Sequence, residues 1–458
     1  MEKQTSAYLY LITFISAMGG LLFGYDWVVI GGAKPFYEVY FNITETPAMQ
    51  GWVIGCAILG CILGVMISGT LSDKYGRKPL MYIAAAIFII AAIGTGIADN
   101  LTIFILYRIF GGIGIGIASN LSPMYIAEVA PAGQRGQFVS LNQLTIVIGI
   151  LLAQLINWLI AEPVLQNENV LNSWNGQMGW RWMFWAGGVP AIVFFILLFF
   201  IPESPRWLCI QQQFEKAHFV FFRIGGRKYA KQQVALLKES ALQTKRKLNY
   251  KILSKGGMPR ILLIGIVIAA FQQWCGINVI FNYAQEIFSA AGYGVSDILF
   301  NIMITGVINV IFTIIGMYTV DKLGRRPLLI AGAIGLALIY AVLGSCYYFH
   351  VTGVFVLVLV LLSIACYAMT LAPVAWVVIS EIFPTHVRGA GMAIATFSLW
   401  TACFILTYTF PLLNTSLGAY GTFWLYGVIC LFGFLFISIQ LPETKGKSLE
   451  EIEQEFNK

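Results

Sequence analysis

The sequence predicts an all-α integral membrane fold of about twelve transmembrane helices, in two repeated six-helix halves joined by a cytoplasmic helical linker. Three observations carry this. Of 458 residues, 59% are hydrophobic and only 11% charged, whereas a soluble domain carries about 25% charged residues. Apolar runs able to cross a hydrocarbon core of roughly 30 Å recur along the whole length. Short polar motifs appear twice, in the same order.

The apolar runs fall at 7–30, 51–72, 80–98, 102–127, 137–160, 180–202, 259–290, 297–320, 327–349, 353–379, 388–412 and 420–441. The first lacks a small-residue cleavage site after a short apolar core, so it reads as a true span and not as a signal peptide. Between the sixth and seventh runs lies a polar, basic segment at 203–258, amphipathic in places such as Gln233–Leu242. It is expected to form short helices against the cytoplasmic membrane face. The expected organisation is a first half at 1–202, the linker at 203–258, a second half at 259–441 and a tail at 442–458.

The net charge of +7 reports topology. Lys74, Arg77, Lys78 and Arg135, thirteen Lys or Arg within Arg206–Arg260, and Lys322, Arg325, Arg326 and Arg388 all fall in alternate loops. The opposite loops carry only Lys34 and Arg181 at their edges. The positive-inside rule then places both termini in the cytoplasm and removes any need for a nucleic-acid partner. Seven of the eight cysteines lie within runs, without CxxC spacing or a histidine cluster, so they read as packing residues; no metal or cofactor is expected.

The repeat is specific. Gly69-Thr-Leu-Ser-Asp73-Lys-Tyr-Gly76-Arg77-Lys78-Pro79 returns as Met317-Tyr-Thr-Val-Asp321-Lys-Leu-Gly324-Arg325-Arg326-Pro327. The stretch from Glu128 to Arg135 returns from Glu381 to Arg388, and Pro202-Glu203-Ser-Pro-Arg-Trp207 has a looser echo in Pro442-Glu443-Thr-Lys. Duplicated halves facing each other across a cavity are a transporter architecture. The glycines suit tight cytoplasmic turns, and the charges suit bonds to neighbouring helix ends. Glu128 with Arg135, and Glu381 with Arg388, offer a second tier of ion pairs. The duplication favours a conformational latch that holds the halves together on the inside; topology determinants alone are the plainer reading.

Two charges lie inside runs. Asp26 is about 16–19 residues into the first span and Arg108 only a few into the fourth, which runs the other way, so both fall in the outer half at about 1.5 Å per residue. Matched depth lets them pair. A charged residue in lipid is expensive unless paired and marks function by default. Protonation of Asp26 would break the pair, which suits a proton switch; a static buried salt bridge is the alternative.

The seventh run carries Gln272, Gln273, Asn278 and Asn282, with Gly276 among them as a place to unwind. Broken helices mark transporter binding sites, and carboxamides both donate and accept, as sugar hydroxyls do. Interhelical bonding is the competing reading. Gln143 and Asn309 are further neutral polar residues in apolar runs, and Trp376 and Trp400 offer flat faces with one N–H donor, suited to a sugar ring or simply to packing.

With these motifs assembled, the chain resembles the sugar porter branch of the major facilitator superfamily over essentially its whole length, and looks like bacterial xylose–proton symporters and animal facilitative glucose transporters. The marks are Asp73–Lys78 with Asp321–Arg326, Pro202–Trp207, Gln272-Gln273 with Asn278, and Pro442–Lys445. The resemblance implies the major facilitator fold. It implies sugar contacts from Phe23, Gln143, Gln272, Gln273, Asn278, Asn309, Trp376 and Trp400, and a proton carried at Asp26 opposite Arg108. The chain departs from the pattern at Ile150, where symporters have a second Gln, at Leu399, where Gln or Asn is usual, and at Asn282, where Tyr is usual.

The expected function is therefore proton-coupled symport of a pentose or hexose across the cell membrane by alternating access, by a protein expected to be monomeric. A facilitative uniporter is the near alternative and a transporter-like sugar sensor a distant one. A membrane enzyme would need a nucleophile, metal cluster or paired carboxylates near the membrane, and a channel would need a charged ring or filter repeat. The sequence offers none of these.

Overall fold

The structure is a computed structural model that describes residues 7–131, 134–163, 170–243, 258–383 and 388–445. These are helical apart from short connections, with no strand among them. The first five helices are α1 (Ala7–Tyr40), α2 (Pro47–Tyr75), α3 (Arg77–Ile97), α4 (Leu101–Val129) and α5 (Arg135–Ile160). The sixth span begins with a π turn at Asn175–Gly179 and continues through α6 (Trp180–Ala186) and α7 (Gly188–Leu197) to a 3₁₀ turn at Leu198–Phe200. The described part of the linker forms α8 (Pro205–Ile210) and α9 (Phe214–Gln243).

The remaining helices are α10 (Met258–Trp274), α11 (Ile277–Asn282), α12 (Ala284–Ala290), α13 (Val295–Leu323), α14 (Arg325–Tyr348), α15 (Val354–Met369), α16 (Leu371–Ile382) and α17 (Arg388–Gln440). Eleven helical stretches among the described residues are long and apolar enough to cross a membrane. The last of them, α17, is 53 residues long, roughly 80 Å at 1.5 Å per residue and far more than one crossing needs. It bends back at Gly418, whose φ of 70° and ψ of 172° are not helical. Two spans therefore share this one continuous stretch, in accord with the twelve expected.

Local chemistry explains the interruptions. The seventh span breaks at Gly276, which sits in the left-handed region (φ 88°) where an L side chain is strained; the expected unwinding is present. The tenth breaks at Thr370, three residues before Pro373, which has no N–H to continue the ladder. Asn100 starts α4 by accepting the Ile103 N–H at 2.9 Å, and Ser204 starts α8 by accepting that of Trp207 at 3.2 Å.

The chain packs into two compact units, one from 1–27, 59–153 and 184–247, the other from 28–58, 154–183 and 248–458. The division cuts α1 after Trp27, α2 after Ile58 and α5 after Ala153, so it differs from a partition at the sequence repeat. The reason lies inside the second unit. There the far ends of these helices pack on helices from the second half of the sequence, through Trp158 against Phe300 (5.8 Å between rings), Gln154 donating to Thr305 (3.3 Å) and Trp52 against Phe404 (6.4 Å).

Candidate functional site

Within the first unit, α1 and α4 bring the two intramembrane charges together as their depth predicted. Arg108 Nη1 lies 3.1 Å from both carboxylate oxygens of Asp26. The Arg108 side chain is 4% exposed and that of Asp26 19%, and the guanidinium rests 5.7 Å from the centre of the Phe184 ring. One nitrogen serves both oxygens, and Arg108 Nε has no hydrogen-bond partner among the described residues. The two-nitrogen fork that makes arginine–carboxylate pairs strongest is thus not used. The pair is charge-matched and largely out of solvent, yet held through a single amino group.

Within the second unit, the broken seventh span aligns its carboxamides into a chain. Asn278 donates to Gln273, Gln273 Nε2 donates to Gln272 Oε1 at 2.5 Å, and Gln272 Nε2 donates to the Tyr367 hydroxyl at 2.8 Å. Gln272 and Gln273 are buried, and Tyr367 arrives from α15. On a regular helix these side chains would not share a face; the turn at Gly276 carries Asn278 back towards Gln273. Asn282 is 2% exposed and its Oδ1 has no partner among the described residues. Such an orphaned acceptor is costly unless something else donates to it. Asn309 on α13 and Trp400 on α17 are buried in the same unit, whereas Trp376 on α16 is 37% exposed. Phe23 and Gln143 belong to the first unit, where Phe23 meets Trp27 edge-on at 5.9 Å. Tyr367 was not foreseen, because a tyrosine in an apolar run carries no signal of its own.

The family model for sugar (and other) transporters matches residues 12–456. The chain is a member of the sugar transporter family. The transporter is 39% identical to the D-xylose–proton symporter of Escherichia coli, over 98% of this chain and 96% of that protein. It is 38% identical to the arabinose–proton symporter of Bacillus subtilis, over 99% and 96%. The inward-open structure of the E. coli xylose transporter superposes with a TM-score of 0.85 at 36% identity, covering 97% of this chain and 99% of that one. The fold is therefore that of the major facilitator superfamily, and the family is one of transporters and not of enzymes.

The duplicated motifs of the transporter build two related clusters, one inside each unit. In the first, Arg77 grips Glu128 with two nitrogens (Nε to Oε2 3.0 Å, Nη2 to Oε1 2.9 Å), donates to the Ser72 carbonyl at 2.8 Å and reaches Asp73 at 3.2 Å. Glu203 accepts the backbone N–H groups of Arg77 (3.0 Å) and Lys78 (3.2 Å) at the start of α3, while the Ser204 hydroxyl donates to Glu128 at 2.5 Å. In the second, Arg325 Nη2 meets Glu381 at 3.0 Å. Glu443 accepts the N–H groups of Arg325 (3.0 Å) and Arg326 (3.1 Å), and Thr444 donates to Glu381 at 2.7 Å. Gly76 and Gly324 make the preceding turns at φ 102° and 93°, with the Glu203 and Glu443 carboxylates where a Cβ would stand.

One expectation changes here. Glu128 pairs with Arg77 and not with Arg135, which is exposed at the start of α5; a carboxylate already held by a two-nitrogen fork and a hydroxyl has little left for a solvated partner. Among the described residues Glu381 meets Arg325 and Thr444. The side chains of Asp321 and Arg388 lie outside the described residues. The contacts tie together helices of a single unit in each case. The acids from the Pro-Glu motif complete both clusters. Their doubling at a similar offset was the sequence signal that they matter, although no role attached to it.

Burial raises the Glu203 carboxyl above its ordinary value of 4.5, only partly offset by the N–H groups of Ser204, Arg77 and Lys78. Burial acts the same way on Glu443 but is outweighed by four backbone N–H groups, leaving its carboxyl below 4.5.

Proposed function

We propose that the protein is a proton-coupled monosaccharide symporter that imports a pentose or hexose by alternating access, with Asp26 as the proton carrier. The observation that carries this is the buried Asp26–Arg108 pair, held through one guanidinium nitrogen inside a member of the sugar transporter family. With Asp26 ionised the pair is neutral and α1 is fastened to α4. A proton on Asp26 leaves Arg108 without its counter-charge, so the two helices part more easily and the carrier can change conformation with its cargo. Uphill import follows if the sugar-loaded carrier turns inward only when protonated and returns outward empty of both.

The sugar reading rests on the carboxamide chain. Asn278, Gln273 and Gln272 end on Tyr367 with their donor and acceptor directions fixed by one another, which presets the remaining polar positions for a polyhydroxylated ligand. Within the same unit Asn282 Oδ1 and Asn309 add further acceptors and donors, and Trp400 and Trp376 add flat apolar faces; Phe23 and Gln143, in the first unit, keep the sugar-contact role that the family resemblance implies. Ile150 and Leu399 are buried apolar residues that donate no hydrogen bond, so the chain relies on α10 and α11 for polar recognition. We place the protein in the cell membrane as a monomer, with both termini in the cytoplasm and six spans in each sequence half. On this orientation each cluster stiffens the cytoplasmic end of its own unit.

A uniporter is the second reading. One relative, 34% identical over 97% of this chain, is the glucose facilitated diffusion protein of Zymomonas mobilis. The ionisable Asp26 favours symport. In cells or proteoliposomes, Asp26→Asn is expected to abolish gradient-driven accumulation of labelled D-xylose or D-glucose while retaining counterflow. Undiminished uphill uptake by that variant would refute the proton-carrier role, and sugar uptake with no accompanying proton movement in the unaltered protein would favour the uniporter.

A further inference from the structure

A second set of buried charges lies at the end of α1 remote from the N-terminus. Here α1 continues to Tyr40, well past the apolar run, and carries Lys34 and Glu38 one helical turn apart. Lys34 is 1% exposed and Glu38 4%, an extreme burial for residues that normally stay in water unless paired. Lys34 Nζ lies 2.9 Å from Glu38 Oε1 and also donates to Glu286 on α12. It stands 5.6 Å from the centre of the Tyr283 ring. The approach is built in: a Cβ on Gly31 would fall 2.8 Å from the Phe281 carbonyl oxygen, so only glycine lets α1 come this near to α11.

The charges do not balance. One ammonium faces two carboxylates, which leaves one negative charge if both are ionised. The other groups around the cluster are engaged elsewhere or neutral. Gln50 from α2 donates to Glu38 Oε2 at 3.3 Å, the Tyr283 hydroxyl donates to the Thr407 carbonyl at 2.7 Å, and Arg181 stacks on Tyr40 and Trp180 and donates to the Tyr40 hydroxyl at 2.9 Å. Glu286 Oε2 has no hydrogen-bond partner among the described residues. A carboxylate oxygen shut off from solvent and without a donor is costly to keep charged, and taking up a proton relieves it. Glu286 is also the member with access to solution, its side chain being 25% exposed. A purely structural ion pair would need one acid and not two.

We propose that Lys34, Glu38 and Glu286 form a proton-binding site distinct from Asp26, assembled when the ends of α1 and α12 meet and holding one proton on its carboxyl pair. With the orientation given under Proposed function, on which this rests, the site faces the outside. It takes its proton from the outer solution onto a carboxylate oxygen as those ends close, and returns it to the same solution as they part. The protons moved per sugar do not change. What changes is how readily the outer side closes: acid outside favours the closed arrangement.

The test is sugar exchange in right-side-out proteoliposomes with labelled D-xylose and D-glucose, varying external pH at fixed internal pH. The unaltered protein is expected to show two external titrations, and E286Q or E38Q only one, with the proton-to-sugar ratio intact. K34M, which removes the cation and keeps both acids, is expected to move the affected titration towards higher pH by about one unit or more, the usual effect of losing a neighbouring opposite charge. A merely structural role would scale the rate at every pH without moving the titration. Two titrations retained in both E286Q and E38Q, or a proton-to-sugar ratio reduced by one in either, would overturn the proposal. If E38Q fails to fold, E286Q and K34M decide. Absence of any sugar exchange by the unaltered protein would instead refute the transport reading itself.

Discussion

The two motif clusters are built from the same parts and sealed to different degrees. In the first, the Arg77 and Glu128 side chains are 6% and 8% exposed and joined by two nitrogens; in the second, Arg325 and Glu381 are 13% and 27% exposed and joined by one. Both are completed by a Pro-Glu motif whose acid caps the next helix, yet one of those acids sits above its ordinary pKa and the other below it. Repetition therefore copied the wiring, while the surroundings set its strength. A charge pair out of water depends on its geometry, whereas one in contact with water is weakened by it.

The sharpest way to break this comparison is to remove each arginine. Arg77→Ala strands a buried Glu128 and is expected to cost about 3–5 kcal/mol, the usual penalty for breaking a buried pair. Arg325→Ala is expected to cost about 1 kcal/mol because Glu381 is better solvated. Thermal unfolding in detergent measures both, and equal losses would remove the distinction. Next in size, Ser204→Ala deletes both the cap of α8 and a donor to Glu128, an expected loss of about 1–2 kcal/mol; Thr444→Ala deletes only a donor, at about 1 kcal/mol.

The smallest effect is the most discriminating, because its sign differs between the copies. The Glu443 carboxyl is held below 4.5, so its contribution to stability is present above pH 4.5 and lost as pH falls through its folded value. The Glu203 carboxyl is held above 4.5, so the folded chain binds that proton more tightly than the unfolded chain. Its effect is to lower stability as pH rises from 4.5 through its folded value. Unfolding temperatures across the acidic range should lose opposite slopes in Glu443→Gln and Glu203→Gln. Slopes of the same sign would show that the two acids do not differ as described.

The spans and the repeat were legible in the sequence because lipid leaves few ways to satisfy a backbone, and apolar length reports them directly. The Asp26–Arg108 pair was legible for a related reason, since depth along a span converts to a coordinate that two charges can share. The partner of Glu128 was not. Arg135 is near in sequence on the following helix, but Arg77, the first residue of α3 after the Gly76 turn, folds against it, and only the packed structure shows which is in reach. Tyr367 and the Lys34 cluster escaped for lack of pattern. A lone tyrosine in an apolar run looks like packing, and Lys34 sat near enough to a predicted loop to pass as an edge charge, since the length of α1 beyond its apolar run was not visible.

The boundary between the compact units crosses α1 at Trp27, one residue beyond the carboxylate that Arg108 holds. No break in α1 marks that boundary: the helix runs from Ala7 to Tyr40. The 13 residues from Val28 to Tyr40 add about 20 Å of helix at 1.5 Å per residue. Its far turns are where Lys34 and Glu38 meet Glu286. One uninterrupted backbone therefore carries both sets of charges, and a substitution that breaks the helix between Asp26 and Lys34 would alter the setting of both.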